Sequence, residues 1–103
     1  MPGHDALRIL VVQPWTADLA RIDRALRNVG IAATLTRVDF EAALDAVLVR
    51  ERFDAAIFDP STPVVTQETI EACLRRSDRR VPVVVLDAIE TLGQRIASLL
   101  RRN

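Results

Sequence analysis

The stretch Phe53-Asp54-Ala55-Ala56-Ile57-Phe58-Asp59 is a short apolar run that ends in an aspartate, and two prolines lie in the four residues that follow it. An apolar run of this length is typical of a buried strand, and the segment 60–63 predicts a loop. Residues 7–12 and 81–86 are apolar runs of the same kind. The chain therefore contains at least three segments that favour buried strands.

Amphipathic segments separate these runs. Apolar residues recur at helical spacing near residues 16–29, 39–48, 66–76 and 89–100, and an alternating segment at 31–35 predicts one further strand. Asp39 is expected to cap the second helix, and Thr66 lies where the third should begin. The order is therefore βαβαβαβα with short connections. Such alternation predicts an α/β fold, a parallel sheet with right-handed crossovers and helices on both faces.

The composition excludes several kinds of chemistry. The 103 residues predict one domain with a disordered start at residues 1–6, and the 14 basic and 14 acidic residues cancel. All the basic residues are arginine, so a lysine Schiff base or P-loop lysine is excluded. A single cysteine excludes an intrachain disulfide and a cysteine-rich zinc site, and Cys73 is expected to be an inert core thiol.

Neither nucleic acid nor a membrane is an expected partner. The arginines at 75–80 are not interleaved with aromatic residues, and the balanced charge argues against a nucleic-acid site. The longest apolar stretches are far short of a bilayer span, and the first residues do not read as a signal peptide. We therefore expect a cytoplasmic protein.

Three segments should meet at the carboxyl edge of the predicted sheet, where open parallel sheets bind ligands. They are Gln13-Pro14-Trp15, residues 59–63 and Asp87-Ala88. The topology places Trp15 near this cleft, where it is expected to close the pocket. A small-molecule site lined by Gln13, Trp15, Asp59 and Asp87 is one open interpretation.

Several stretches of the sequence, in this order and at this spacing, resemble a response-regulator receiver (CheY-like) domain. They are residues 8–12, residues 39–44, the stretch 53–59 with Pro63 four residues later, and residues 81–86. The resemblance covers roughly residues 7–86. It implies a flavodoxin-like three-layer α/β/α sandwich with strand order 2-1-3-4, and a receiver-like domain over residues 7–103.

The resemblance also implies a phosphoryl-transfer site, of which this sequence keeps one position. Asp59 matches the family's phosphoacceptor. Gln13 and Pro14 stand where the family has the acidic pair that holds magnesium, and Asp87 stands in place of its serine or threonine. The family's lysine has no counterpart, and its glycine near the third helix is replaced near Gln67. The sequence therefore predicts a pseudo-receiver that is not an enzyme and has no cofactor.

Other interpretations of these residues stay open. Asp59 could accept a phosphoryl group with magnesium in an unusual arrangement, could form a metal pair with Asp87, or could simply cap the turn before Pro60. Asp87 is expected to be a helix N-cap, followed by Glu90 in the pattern of a capping box.

The last predicted helix could be either the family's fourth or its closing helix, and a fifth strand is apparently missing. The strand at 81–86 would then be an uncovered edge, which invites pairing with another chain. The predicted partner is a protein, either a second copy or the covering part of a longer chain. The expected interaction surface comprises Val83, Val85, Leu92, Ile96 and Leu99.

Overall fold

The computed structural model describes residues 7–14 and 18–101, over which four strands alternate with four helices. The elements are β1 (Leu7–Val12), α1 (Leu19–Arg27), β2 (Ala33–Val38), α2 (Glu41–Arg50), β3 (Ala55–Phe58), α3 (Gln67–Arg76), β4 (Val83–Val85) and α4 (Ile89–Arg101). All strand pairs are parallel, in the order β2-β1-β3-β4. The strand order 2-1-3-4 that the family resemblance implies is confirmed. The predicted disordered start at 1–6 and the position of Trp15 lie outside the described residues.

The pleat of β1 divides the core between the two faces of the sheet. Leu10 and Val12 belong to the cluster that packs under α2 and α3, whereas Ile9 and Val11 belong to the cluster under α1 and α4. Alternate side chains of a strand point to opposite faces, so one strand supplies both clusters. The result is the three-layer sandwich that the sequence predicts.

The helix starts agree with the sequence in one case and differ in another. Thr66 caps α3, because its hydroxyl accepts a hydrogen bond from the Thr69 N–H (3.1 Å) and the Thr69 hydroxyl in turn accepts one from the Thr66 N–H (3.3 Å). Asp39 is not the cap of α2. The extended residue Phe40 precedes that helix, and the Asp39 carboxylate instead lies 3.4 Å from Nη1 of Arg37.

Helix α4 lies on the same face of the sheet as α1. From β1 through β3 to β4 the sheet grows in one direction, and its crossover helices α2 and α3 lie on the opposite face. Because crossovers are right-handed, a helix leading to a further parallel strand beyond β4 would also lie on the α2 and α3 face. Helix α4 therefore does not make such a crossover. Helix α4 occupies the position of the family's closing helix and not that of its fourth helix.

The placement of α4 corrects part of the predicted interaction surface. Leu92 and Ile96 are fully buried in the cluster with Ile22 and Leu26 of α1, so they form core and not surface. Gly93 permits this close packing, since a Cβ at that position would lie 2.5 Å from the Ala25 carbonyl oxygen.

The other three predicted surface residues, Val83, Val85 and Leu99, remain half-buried. None of the helices in the described residues is long and apolar enough to cross a bilayer.

Candidate functional site

The end of β3 meets the end of β1 at the carboxyl edge of the sheet. The Asp59 N–H donates to the Val12 carbonyl at 2.8 Å, which fixes the backbone of the aspartate beside β1. Its Oδ1 accepts hydrogen bonds from the N–H (2.9 Å) and the hydroxyl (2.7 Å) of Ser61. An aspartate that binds the backbone two residues ahead forms an Asx turn. Asp59 therefore caps the turn that leads into the loop.

Thr62 ties this loop to the sheet. Its side chain is buried, and its Oγ1 lies 2.7 Å from the Asp59 carbonyl oxygen and 3.2 Å from the Val12 carbonyl oxygen. No role for Thr62 was predicted from the sequence. Its position three residues after a strand-end aspartate, between two prolines, is a weak signal for a hydroxyl that binds the backbone.

Among the described residues of this edge, Gln13 is the one whose polar side chain is buried without partners. Its main chain is bonded on both sides, because its N–H donates to the Val38 carbonyl (3.1 Å) and its carbonyl accepts from Nη1 of Arg37 (3.1 Å). The side chain is completely buried, and within the described structure neither its Oε1 nor its Nε2 has a hydrogen-bond partner. An amide buried in this way costs roughly 1–3 kcal/mol.

Replacement of Gln13 by methionine is expected to raise the free energy of unfolding by about 1–2 kcal/mol, because it removes the unsatisfied amide and keeps a side chain of similar shape. Urea unfolding followed by circular dichroism measures the change. The matched control is Thr62→Val, which removes a buried hydroxyl that does have partners and should lower the same free energy by about 1 kcal/mol. A loss of stability in both variants would contradict this description of Gln13.

Asp87 is paired with α4 rather than capping it. The helix begins at Ile89, and Oδ1 of Asp87 accepts hydrogen bonds from the Ala88 N–H (2.6 Å) and from Nη1 of Arg95 (3.0 Å). The predicted N-cap and capping box are therefore replaced by an ion pair. The same Arg95 nitrogen donates to the Val85 carbonyl at 2.7 Å, so one guanidinium joins β4, the following loop and α4. No pattern in the sequence points to Arg95, which lies eight residues after Asp87.

A second group of titratable side chains lies between α2 and α3. Nη2 of Arg76 is 3.0 Å from Oε2 of Glu41, 2.9 Å from Oδ2 of Asp45 and 3.1 Å from Sγ of Cys73. The two carboxylates and the thiol are close enough together to share a metal ion. The guanidinium already supplies the positive charge at their centre, so this group is a charge-paired contact between helices.

Burial, and after it the neighbouring Asp45 carboxylate, together raise the pKa of the Cys73 thiol from 9.0 to about 11. The folded state thus holds the thiol proton more tightly than the unfolded chain does. Between pH 9 and 11 the unfolded chain loses this proton while the folded protein keeps it. Stability due to Cys73 is therefore fully present below pH 9 and is lost as the pH rises toward 11.

We expect the free energy of unfolding to fall by about 1 kcal/mol per pH unit between pH 9 and 11. Because the chain has no lysine and no tyrosine, Cys73 is the one side chain expected to titrate in this range. Urea unfolding at several alkaline pH values measures the slope. Cys73→Ala should remove the slope whatever its own stability, and an unchanged slope in that variant would contradict the assignment.

No protein-family profile matches this chain. The transcriptional regulatory protein PrrA of Mycobacterium tuberculosis (strain ATCC 25618 / H37Rv) is 36% identical over 97 residues, which are 94% of this chain and 41% of PrrA. The receiver domain of sensor histidine kinase PA1611 from Pseudomonas aeruginosa PAO1 matches with a TM-score of 0.63 and 24% identity, covering 95% of this chain and 94% of that one. The chain is thus homologous to the response regulator PrrA and matches CheY-like receiver domains in structure.

A second solved receiver agrees in fold. The CheY-like response regulator receiver domain protein from Methanospirillum hungatei JF-1 has a TM-score of 0.50 at 14% identity, over 96% of this chain and 100% of that one. The predicted CheY-like fold is thereby confirmed for this chain. The chain spans about two fifths of the length of PrrA.

Magnesium is the cofactor that the family implies, and the PA1611 receiver structure holds it in its active-site cleft. Magnesium prefers an octahedron of oxygen ligands, usually with carboxylates among them. Here Pro14 offers no side-chain ligand, and the Gln13 amide is neutral and buried. Asp59 uses one oxygen for the turn, while Asp87 is bound to Arg95. These residues do not fit a magnesium site of the family's kind.

Proposed function

We propose that this receiver domain does not accept a phosphoryl group and that it acts in two-component signalling as a non-catalytic module that binds protein. The observation that carries the proposal is the state of Gln13, a buried neutral amide in the place of a magnesium-binding acid. With Pro14 beside it, the end of β1 supplies no negative charge to hold a cation. Phosphoryl transfer depends almost entirely on positioning and on stabilisation of charge.

Two cations near this edge, among the residues that the structure describes, also support the proposal, because both are bound to other groups. Arg37 binds the Gln13 carbonyl and lies 3.4 Å from the Asp39 carboxylate. Arg95 binds the Val85 carbonyl and the Asp87 carboxylate. A phosphoryl anion arriving at Asp59 would meet the negative charge of that side chain, and neither Arg37 nor Arg95 would be free to offset it.

The alternative function is a phosphorylatable receiver that uses Asp59. One observation favours it, since Asp59 lies at the end of β3 and is hydrogen-bonded there through its backbone to β1, as an acceptor position requires. This alternative needs a magnesium ion held by the Asp59 carboxylate without the help of an acidic pair. The two functions therefore differ in whether magnesium and a phosphoryl mimic bind together at this edge.

The test is a titration of the ¹⁵N-labelled protein with magnesium, and then with magnesium and beryllofluoride, followed by amide NMR spectra. Under the proposal the amides of Asp59 and Ser61 show no saturable shift at millimolar magnesium, and Asp59→Asn behaves like the wild type. A saturable shift that disappears in Asp59→Asn would contradict the proposal and establish the alternative. A folded spectrum at the start of the titration ensures that a negative result has meaning.

A further inference from the structure

The outer edge of β4 presents backbone groups that the sheet does not use. The Pro82 carbonyl and the Leu86 N–H are both hydrogen-bonded to β3. Along a strand, the N–H and C=O groups of successive residues point alternately to the neighbour on one side and to the neighbour on the other. The N–H and C=O groups of Val83 and Val85 therefore point away from β3. Among the described residues β4 is the last strand on this side of the sheet.

One of these four groups is covered by a side chain, because Nη1 of Arg95 donates to the Val85 carbonyl. The other three groups are the N–H and carbonyl of Val83 and the N–H of Val85. In the described part of the chain, none of the three takes part in a backbone hydrogen bond outside the helices and strands. Both valines are half-buried, so these groups are poorly placed to bind water. An added strand would satisfy them.

We propose that the edge of β4 pairs with the β4 edge of a second copy of this chain, antiparallel and about a two-fold axis at Val84. This inference rests on the proposed interaction function and names its partner. In that register Val83 stands opposite the partner's Val85, and the two residues exchange both N–H to carbonyl bonds. The two-fold axis generates this pair a second time, with Val85 opposite the partner's Val83. Four hydrogen bonds then join the two sheets into one of eight strands.

The charges that flank β4 favour this antiparallel arrangement. Arg80 precedes the strand and Asp87 follows it, and both side chains are exposed. Around an axis at Val84, Val81 lies opposite the partner's Asp87, and Arg80 is the next residue along. Each arginine is thus set beside an aspartate of the other copy, whereas a parallel arrangement would set like charges side by side. Arg80 forms none of the ion pairs in the described residues.

Helix α4 supplies a second surface to the same pairing. Its flank beside β4 borders an open groove of about 350 Å³, lined by Thr91, Gln94, Arg95, Ser98 and Leu99. A two-fold axis perpendicular to the sheet places both α4 helices on one face, side by side and antiparallel. The half-buried Leu99 of each copy would then face the groove of the other. Arg95 must release the Val85 carbonyl for the strands to pair, and it keeps Asp87 as its partner.

Sedimentation velocity of the full 103-residue chain over a range of concentrations tests the pairing. The wild type should form a concentration-dependent dimer. Arg80→Glu and Asp87→Arg should each raise the dimer dissociation constant about tenfold, and the double variant should restore it to within about threefold of the wild type. Arg75→Glu, an exposed arginine on α3 away from the edge, is the matched control and should leave the constant unchanged.

Val83→Pro gives an independent test, because it removes an N–H that points outward and leaves the hydrogen bonds to β3 in place. Circular dichroism should show a folded protein, and sedimentation should show a monomer. A wild-type chain that stays monomeric up to hundreds of micromolar, or a double charge variant that is no closer to wild type than either single variant, would overturn the pairing.

The failure of this inference differs from the failure of the proposed function. A dimer that forms only after treatment with magnesium and beryllofluoride would contradict the proposal that the domain does not accept a phosphoryl group. It would still support pairing at the β4 edge if the double variant Arg80→Glu with Asp87→Arg restores the dimer that each single variant loses. A protein that is monomeric in every condition and shows no response to beryllofluoride would overturn the pairing alone.

Discussion

Replacement of Ile96 by alanine is expected to lower the free energy of unfolding by about 3 kcal/mol. Ile96 is completely buried in the cluster that α4 and α1 share with the sheet. Truncation of a buried isoleucine removes transfer free energy and leaves a cavity, and such changes cost roughly 2–5 kcal/mol. The effect would show that α4 closes the core.

Leu99→Ala is the matched control on the same helix. Leu99 is half-buried on the flank beside β4, so its truncation should cost about 1 kcal/mol or less. Urea unfolding at a concentration where the protein is monomeric measures both changes. Equal, small losses for the two variants would mean that α4 does not pack on α1 as described.

The double substitution Gln13→Asp with Pro14→Asp is expected to make stability depend strongly on magnesium. Without the ion it places a carboxylate in a completely buried position close to Asp59, and an unpaired buried charge should lower the free energy of unfolding by about 3 kcal/mol. With an acidic pair beside Asp59, millimolar magnesium should recover about 2–3 kcal/mol if it exceeds the dissociation constant about a hundredfold.

Thermal unfolding with and without magnesium measures this dependence, and the wild type should not change. Gln13→Asn with Pro14→Ala is the matched control, since it alters the same positions without adding charge. Equal stabilisation of the wild type by magnesium would show that its own residues already hold the ion, which contradicts the description of the site.

Much of the fold could be predicted from the sequence because its elements are locally determined. The apolar run at residues 53–59 and the capping residue Thr66 each specify their own strand or helix. The face on which α4 packs could not be predicted in this way. An amphipathic helix has the same pattern on either side of a sheet, and the choice depends on the contact of Gly93 with Ala25 in a distant helix.

The candidate site shows the same division. The positions of Asp59, Gln13 and Asp87 at the carboxyl edge follow from strand ends, and the sequence predicted them together. Their surroundings did not follow, because the ion pair of Arg95 with Asp87 and the isolated Gln13 amide depend on side-chain placement in three dimensions.

The most direct test of the central claim is treatment of the wild-type protein with acetyl phosphate and millimolar magnesium, followed at once by intact-protein mass spectrometry. The analysis should be run beside an active receiver domain as a positive control. We expect that the mass of the wild type stays unchanged, as does that of Asp59→Asn. Addition of one phosphoryl group to most of the wild-type protein, absent in Asp59→Asn, would contradict it.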